Sequence, residues 1–413
     1  MGARRRDERR DRPRVVLGVG GGIAAYKVAD ALRKFVESGH DVVVVPTESA
    51  LKFVGEPTWA ALSHHRVATD VWSAADEVPH VRLGREADIV VVAPATADLL
   101  AKAANGLADD LLTNTLLTAR CPILFVPAMH TEMWEHPATV ANVATLRARG
   151  AVVLEPATGR LTGADTGKGR LPEPLEIVRS AQLLLGRPDA LPYDLAGRSV
   201  VVSAGGTREP LDPVRFLGNA SSGKQGYALA AVAAARGAAS VTLVAANTEL
   251  PTPAGVELVA VKTALQLHEA VLKASLSADV VVMAAAVADF RPVLAGVHKI
   301  KKSDTDPAPL VLTKNPDVLA DLVAARRPGQ LLVGFAAETG DETGDVLFHG
   351  RAKLARKGCD LLVVNAVGDG VAFGQDDNAG VILGADGSET PIPRGPKNFL
   401  AAAVWDAVAA RWP

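Results

Sequence analysis

Short β-branched runs at residues 15–19, 42–45, 89–92, 123–126 and 152–154 alternate with Ala- and Leu-rich stretches of helical period, among them 23–36 and 97–118. The runs are apolar without alternation. Strands of that kind are buried on both faces, which predicts parallel strands joined by crossover helices that cover both sides of a sheet. A polar stretch with prolines at 186–197 breaks the rhythm and reads as a linker. The pattern then restarts, with strands expected at 199–203, 241–245, 280–285, 331–335 and 361–364, and helices near 226–236, 264–274, 316–326 and 346–357. The prediction is an α/β chain with two Rossmann-like domains and mainly parallel sheets, 15–190 and 191–413, after a disordered basic arm at 1–14.

Composition narrows the class. The 413 residues are 48% hydrophobic and 22% charged, which suits a globular chain rather than a disordered one. No apolar run approaches the ~20 residues that span a bilayer, so no membrane segment is expected. Residues 1–14 carry seven Arg against Asp7, Glu8 and Asp11, so the net charge of −2 leaves residues 15–413 at about −6. A nucleic-acid partner would need basic charge on the folded part, and none is expected. No apolar stretch of signal-peptide type precedes the first strand. Cys121 and Cys359 form no ligand pair and no disulfide framework, which fits a reducing cytoplasm and argues against structural zinc.

Candidate chemistry sits at the strand ends. The turn Gly20-Gly21-Gly22-Ile23-Ala24-Ala25 follows the first strand, where glycines let a phosphate approach backbone N–H groups at a helix start. It loosely satisfies the dinucleotide fingerprint, with Glu48 near the position of a ribose-binding acid, while Thr47 and Ser49 offer hydroxyls to a mononucleotide phosphate. The third strand ends in Ala93-Pro94-Ala95-Thr96-Ala97-Asp98, and the fourth in Pro127-Ala128-Met129-His130-Thr131-Glu132-Met133-Trp134. His80 lies between, in Val78-Pro79-His80-Val81-Arg82.

In order and spacing these segments, with the Gly-rich stretch 159–170, resemble the flavin-containing cysteine decarboxylases, in particular the decarboxylase half of phosphopantothenoylcysteine decarboxylase/phosphopantothenate–cysteine ligases. The resemblance implies a flavodoxin-like flavoprotein domain with FMN held at Gly22, Thr47, Ser49, Ala95 and Thr96. It makes His80 the acid/base near the substrate thiol, a task suited to imidazole. Flavin would oxidise the cysteinyl thiol, carbon dioxide would leave, and the hydride would return. Two positions depart from the family. His130 stands where many members have an Asn assigned to the substrate carboxylate. The lid stretch 161–165 lacks the cysteine that many members use as final proton donor, which leaves Asp165, His130 or a solvent proton for that step.

The second half contains Gly218-Asn-Ala-Ser-Ser-Gly-Lys-Gln225, which misses the P-loop pattern because Gln225 replaces the magnesium-binding hydroxyl. A phosphate nest at Ser221, Ser222 and Gly223 remains. Nearby in the pattern are Ser203–Pro210 after the first strand of this half, Ala284-Ala-Ala-Val-Ala-Asp289-Phe-Arg291, the lysine cluster Lys299-Ile300-Lys301-Lys302, Lys314-Asn315-Pro316-Asp317, and Gly334-Phe335-Ala-Ala-Glu338-Thr339. Lys353 and Lys357 are four apart on one predicted helix, a repulsive pair unless an anion or solvent screens it.

This set resembles the phosphopantothenate–cysteine ligases. The resemblance implies a nucleotide-binding ligase domain in which 4′-phosphopantothenate attacks CTP to give an acyl-cytidylate, and L-cysteine then displaces CMP. Asn219 matches the residue that holds the acyl-cytidylate and Lys299 the one implicated in its capture by cysteine. Asp289, Lys299, Pro316, Asp317, Val318, Leu319, Phe335, Lys353 and Lys357 match CTP-binding positions, with Mg²⁺ carried by the triphosphate. The choice of CTP rests on the resemblance alone. The family also implies a hexamer or dodecamer of trimeric decarboxylase and dimeric ligase units. An NAD(P)-dependent oxidoreductase with a second Rossmann-like domain is the alternative.

Overall fold

Seven consecutive residues, Ile89–Ala95, are all buried, as a central strand covered on both faces requires. The computed structural model describes residues 12–69, 78–161, 165–301, 309–338, 344–366 and 376–412. Residues 1–11 of the basic arm, 162–164 of the lid stretch, Lys302 and Thr339 lie outside the described residues. The chain divides into two compact units, Met1–Tyr193 with Pro253–Gly255, and Asp194–Thr252 with Val256–Pro413.

The first unit carries β1 (Arg14–Val19), α1 (Ala25–Glu37), β2 (Asp41–Pro46), α2 (Glu48–Leu51), α3 (Glu56–Ser63), α4 (Pro79–Glu86), β3 (Ile89–Ala95) and α5 (Ala97–Asn105). There follow α6 (Leu111–Thr118), β4 (Ile123–Pro127), α7 (Thr131–Trp134), α8 (Pro137–Ala148), β5 (Val152–Val153), β6 (Ala157–Arg160), β7 (Thr166–Arg170) and α9 (Pro174–Gly186). Five parallel strands run in the order β2-β1-β3-β4-β5, the flavodoxin-like arrangement. The chain leaves β1 toward β2 and returns to β3 on its other side, so a crevice opens at the carboxyl ends of β1 and β3. One face of the sheet, through Val16, Val90, Val92 and Phe125, packs on Leu99, Leu100, Leu112 and Leu146 of the covering helices.

The helix expected over 97–118 is two helices. Gly106 ends α5 in the left-handed region at φ +70°, and Asp110 starts α6 with a capping box, its carboxylate accepting the Thr113 N–H at 2.7 Å. The break lets Lys102 bridge Asp98 at 3.3 Å and Asp109 at 3.0 Å.

The second unit carries β8 (Ser199–Gly205), β9 (Arg208–Pro210), β10 (Phe216–Gly218), α10 (Lys224–Ala235), β11 (Ser240–Ala246), β12 (Glu257–Val261), α11 (Ala264–Ser275), β13 (Val280–Met283), β14 (Phe290–Pro292) and β15 (Leu312–Lys314). It closes with α12 (Val318–Ala325), β16 (Leu331–Glu338), α13 (Val346–Lys357), β17 (Leu361–Ala366), β18 (Asp377–Gly384), β19 (Glu389–Pro396) and α14 (Lys397–Ala409). Its main sheet has the order β12-β11-β8-β13-β16-β17-β18-β19, parallel as far as β17 and antiparallel beyond. The hairpins β9–β10 and β14–β15 stand outside that sheet. Helices α10 and α14 pack together, with the buried Trp405 indole N–H donating to the Leu229 carbonyl at 2.9 Å.

Candidate functional site

The carboxyl ends of β1, β3 and β4 open into a cleft of about 600 Å³ whose lining includes Gly22, Thr47, Ser49, Thr96 and His130. The glycines of the first turn serve different ends. A Cβ on Gly20 would lie 2.3 Å from the Pro94 carbonyl oxygen, and one on Gly21 would lie 2.3 Å from Ser49 Cβ, so the chain's own packing demands both. A Cβ on Gly22 would meet nothing closer than 3.8 Å. Packing does not require that glycine, and its bare backbone leaves part of the cleft open. The Thr47 hydroxyl accepts the Ala50 N–H at 3.2 Å, and the Thr96 hydroxyl accepts the Leu99 N–H at 3.3 Å. Each uses a lone pair for its helix start and keeps its O–H to donate into the cleft. Glu48, Asp98, Asp109 and Asp110, not anticipated as a group, supply acceptors around the same cleft. Ala95 is fully buried and does not line the cleft, its carbonyl accepting the Ala128 N–H at 3.3 Å.

The lid hairpin β6–β7 docks beside His130, with the Met129 N–H donating to the Gly169 carbonyl at 3.0 Å. Glu155 ties this hairpin down by pairing with Lys168 at 2.6 Å and Arg147 at 2.8 Å. Burial pushes the Glu155 carboxyl up, but the two cations outweigh it and hold it below the usual range. Asp165 is exposed and does not line the cleft. Neither cysteine replaces the missing lid thiol. Cys121 stands before β4, at the strand end opposite the cleft, with its thiol pKa raised by burial, and Cys359 is buried in the second unit.

His80 is not brought to this cleft. It lies in the first turn of α4, its Nδ1 buried and without a hydrogen-bond partner among the described residues. Its backbone is fixed from α6, where the Thr118 hydroxyl donates to the His80 carbonyl at 2.7 Å. The two helices meet closely at Gly84, where a Cβ would fall 2.3 Å from Thr118 Oγ1.

In the second unit, loops at the carboxyl ends of β8 and β13 are stitched together. The Thr207 hydroxyl accepts the Ala288 N–H at 2.9 Å, and the Asn219 amide donates to the Val287 carbonyl at 3.0 Å. Asn315 donates from its side chain to Ala288 and from its backbone to Asp289, both at 2.8 Å, which brings the start of α12 to the same edge. Gly223 takes φ +73° before α10, and its N–H donates to the Ser221 hydroxyl at 3.3 Å. Gln225 faces inward. Its amide donates to the Lys397 carbonyl at 3.1 Å and accepts from Asn378 at 3.0 Å, so it braces α10 instead of standing at a metal.

The remaining predicted positions divide by exposure. Val318 is buried in the core, while Leu319 and Phe335 are half-buried and Lys299 is exposed. Asp317 caps α12 through the Ala320 N–H at 3.2 Å and pairs with Lys357, so the expected repulsion between Lys353 and Lys357 is met by a protein carboxylate. Burial would raise the Asp317 pKa, yet Lys357 and the Ala320 N–H bring it below the usual value.

Comparison with known proteins agrees with this division of the chain. A family model described as Flavoprotein matches residues 3–185, and one described as DNA/pantothenate metabolism flavoprotein C-terminal domain matches residues 195–411. The coenzyme A biosynthesis bifunctional protein CoaBC of Mycobacterium tuberculosis is 64% identical over 408 residues, covering 97% of this chain and 97% of the relative. Its namesake in Bacillus subtilis is 41% identical over 400 residues, covering 96% of each. A crystal structure of the C-terminal domain of a CoaBC protein, 34% identical, covers 53% of this chain and 97% of that one with a TM-score of 0.44. The chain therefore belongs to the coenzyme A biosynthesis bifunctional proteins and is an enzyme with a decarboxylase and a ligase activity.

Proposed function

We propose that the chain joins 4′-phosphopantothenate to L-cysteine at the expense of CTP in its second unit, and decarboxylates the product to 4′-phosphopantetheine with FMN in its first. The observation that carries the flavin assignment is the bare Gly22 beside the hydroxyls of Thr47, Ser49 and Thr96. These hydroxyls and Gly22 would hold FMN, and Ala95, at the buried end of β3, precedes Thr96 in that set. Bound flavin would supply oxidation of the substrate thiol and return of the hydride. His130 offers a donor to the substrate carboxylate, and because Asp165 stands outside the cleft the last proton comes from His130 or from solvent.

In the ligase half the phosphopantothenate carboxylate attacks the α-phosphate of CTP, forming an acyl-cytidylate and releasing pyrophosphate. The amine of cysteine then displaces CMP. Asn219 holds the activated acyl group and Lys299 assists its capture. The nest at Ser221, Ser222 and Gly223 suits phosphate, and Asp289, Pro316, Asp317, Val318, Leu319, Phe335, Lys353 and Lys357 surround the nucleotide. No cluster of three His, Cys, Asp or Glu among the described residues forms a metal site, so Mg²⁺ in this reading arrives on the triphosphate.

The enzyme is read as cytoplasmic. No helix of the described residues is long and apolar enough to cross a membrane. Assembly into trimeric decarboxylase and dimeric ligase units, as a hexamer or dodecamer, is supported by two features. His80 lies outside the cleft of its own chain, and Leu294, Val297 and Val311 are left strongly exposed. Mass spectrometry of the reaction with phosphopantothenate, cysteine and CTP tests the whole reading. The expected result is one CMP and one pyrophosphate per phosphopantetheine, with loss of carbon dioxide; equal turnover with ATP would remove the CTP assignment.

Gly22→Val tests the flavin cradle alone. It should weaken flavin retention by roughly 10- to 100-fold through steric crowding. The melting temperature of the flavin-free protein should change little, because a Cβ at this position meets nothing closer than 3.8 Å. Equilibrium dialysis against FMN and a thermal melt check both statements; full flavin retention would count against the cradle.

A further inference from the structure

The loop that carries Lys299 is held by one ion pair. Asp212 has a completely buried side chain, while Pro213, Val214, Arg215 and Phe216 beside it are exposed. One carboxylate oxygen, Oδ1, accepts the backbone N–H groups of Val214 and Arg215, each at 2.8 Å, and closes the turn locally. The other, Oδ2, accepts from Arg215 Nε at 2.9 Å, from its terminal nitrogen at 2.6 Å, and from the Ile300 N–H at 3.2 Å. The same Arg215 terminal nitrogen donates to the Ile300 carbonyl at 2.7 Å. Ile300, next to Lys299, is therefore gripped at its N–H by the carboxylate and at its C=O by the guanidinium. A third bond, from the Gly296 N–H to the Leu211 carbonyl at 2.8 Å, fastens the other end of the loop to the same turn.

We propose that Asp212, through Arg215, is a positioning residue for the ligase, fixing the Lys299 backbone where its ammonium group can assist capture of the acyl-cytidylate by cysteine. This rests on the reading of Lys299 given above. The physical reason is entropic. Lys299 follows β14 in a hairpin that stands outside the main sheet, so without a tether its side chain would sample many positions, and orienting a catalytic group accounts for a large part of rate enhancement. Burial pushes the Asp212 carboxyl up, but the backbone donors and Arg215 overcome this and leave it well below the usual carboxylate range, so the clamp remains charged at neutral pH.

Asp212→Asn separates the two tasks of the carboxylate. The amide oxygen can still close the turn with Val214 and Arg215, while its NH₂ group faces Arg215 and the Ile300 N–H with no acceptor to offer. Cysteine-dependent CMP release should fall by roughly 10- to 100-fold, the scale expected for a misplaced catalytic group. Pyrophosphate release in single turnover without cysteine should persist, and hydrogen exchange should quicken at 296–301, with a modest fall in melting temperature because three donors lose a buried acceptor. Combining Asp212→Asn with Lys299→Gln should be no slower than Lys299→Gln alone, because both remove one function. Equal loss of both half-reactions would reduce Asp212 to a structural role. Normal cysteine capture in Asp212→Asn beside impaired capture in Lys299→Gln would overturn the proposal and leave the Lys299 assignment standing. Normal capture in Lys299→Gln itself would overturn both.

Discussion

The His80→Asn protein should release carbon dioxide about 10²- to 10⁴-fold more slowly, the usual contribution of a positioned acid/base. It should keep its bound flavin and its ligase activity, so that phosphopantothenoylcysteine accumulates when all three substrates are supplied. The structure adds a sharper test. His80 does not line the cleft of its own chain, and in the proposed assembly it serves the cleft of a second copy. The buried Nδ1 without a partner is compatible with a group that finds one only on assembly or with substrate. Mixing His80→Asn chains with Gly22→Val chains under conditions that exchange subunits should restore part of the decarboxylation, since each supplies what the other lacks. Unchanged carbon dioxide release in His80→Asn would show that the imidazole is not catalytic. An inactive protein that also loses flavin and melts early would instead point to damaged packing around α4.

Lys299→Gln should stall the ligase after activation. CTP and phosphopantothenate should still yield pyrophosphate and the acyl-cytidylate, while cysteine-dependent CMP release falls by roughly 10²-fold, a scale typical of losing one charged group that acts mainly in the transition state. Quenched-flow separation of the two half-reactions provides the measurement. Wild-type amide formation would remove Lys299 from the mechanism. Equal loss of pyrophosphate release would place it at the triphosphate, where the lysine would bind ground state and transition state alike.

The strands that build both sheets were legible because fully buried parallel strands leave unbroken Val, Ile and Leu runs. The antiparallel end of the second sheet was not. Pro391, Pro393 and Pro396 in β19 speak against a strand, yet an edge position tolerates prolines. The division between α5 and α6 was also hidden, since Gly106 and Asp110 sit inside an otherwise continuous helical pattern. At the sites, residue type at a strand end was informative for Gly22, Thr47, Ser49, Thr96 and His130, which share one cleft. Exposure is not readable from residue type, and Ala95 and Val318 prove to be buried. Pairings distant in sequence were invisible for a similar reason. Nothing local joins Asp317 to Lys357 or Asp212 to Ile300, and only the fold brings them together.

The close contact of α4 with α6 changes how a mutational scan of this enzyme would be interpreted. Gly84 and Thr118 touch no substrate in the proposed mechanism, yet any side chain at Gly84 would push on the hydroxyl that holds the His80 backbone. Intolerance at Gly84 in such a scan would resemble that of a chemical group. Its signature would be loss of decarboxylation with flavin still bound, so growth phenotypes alone would assign catalysis to a residue that only keeps two helices in contact.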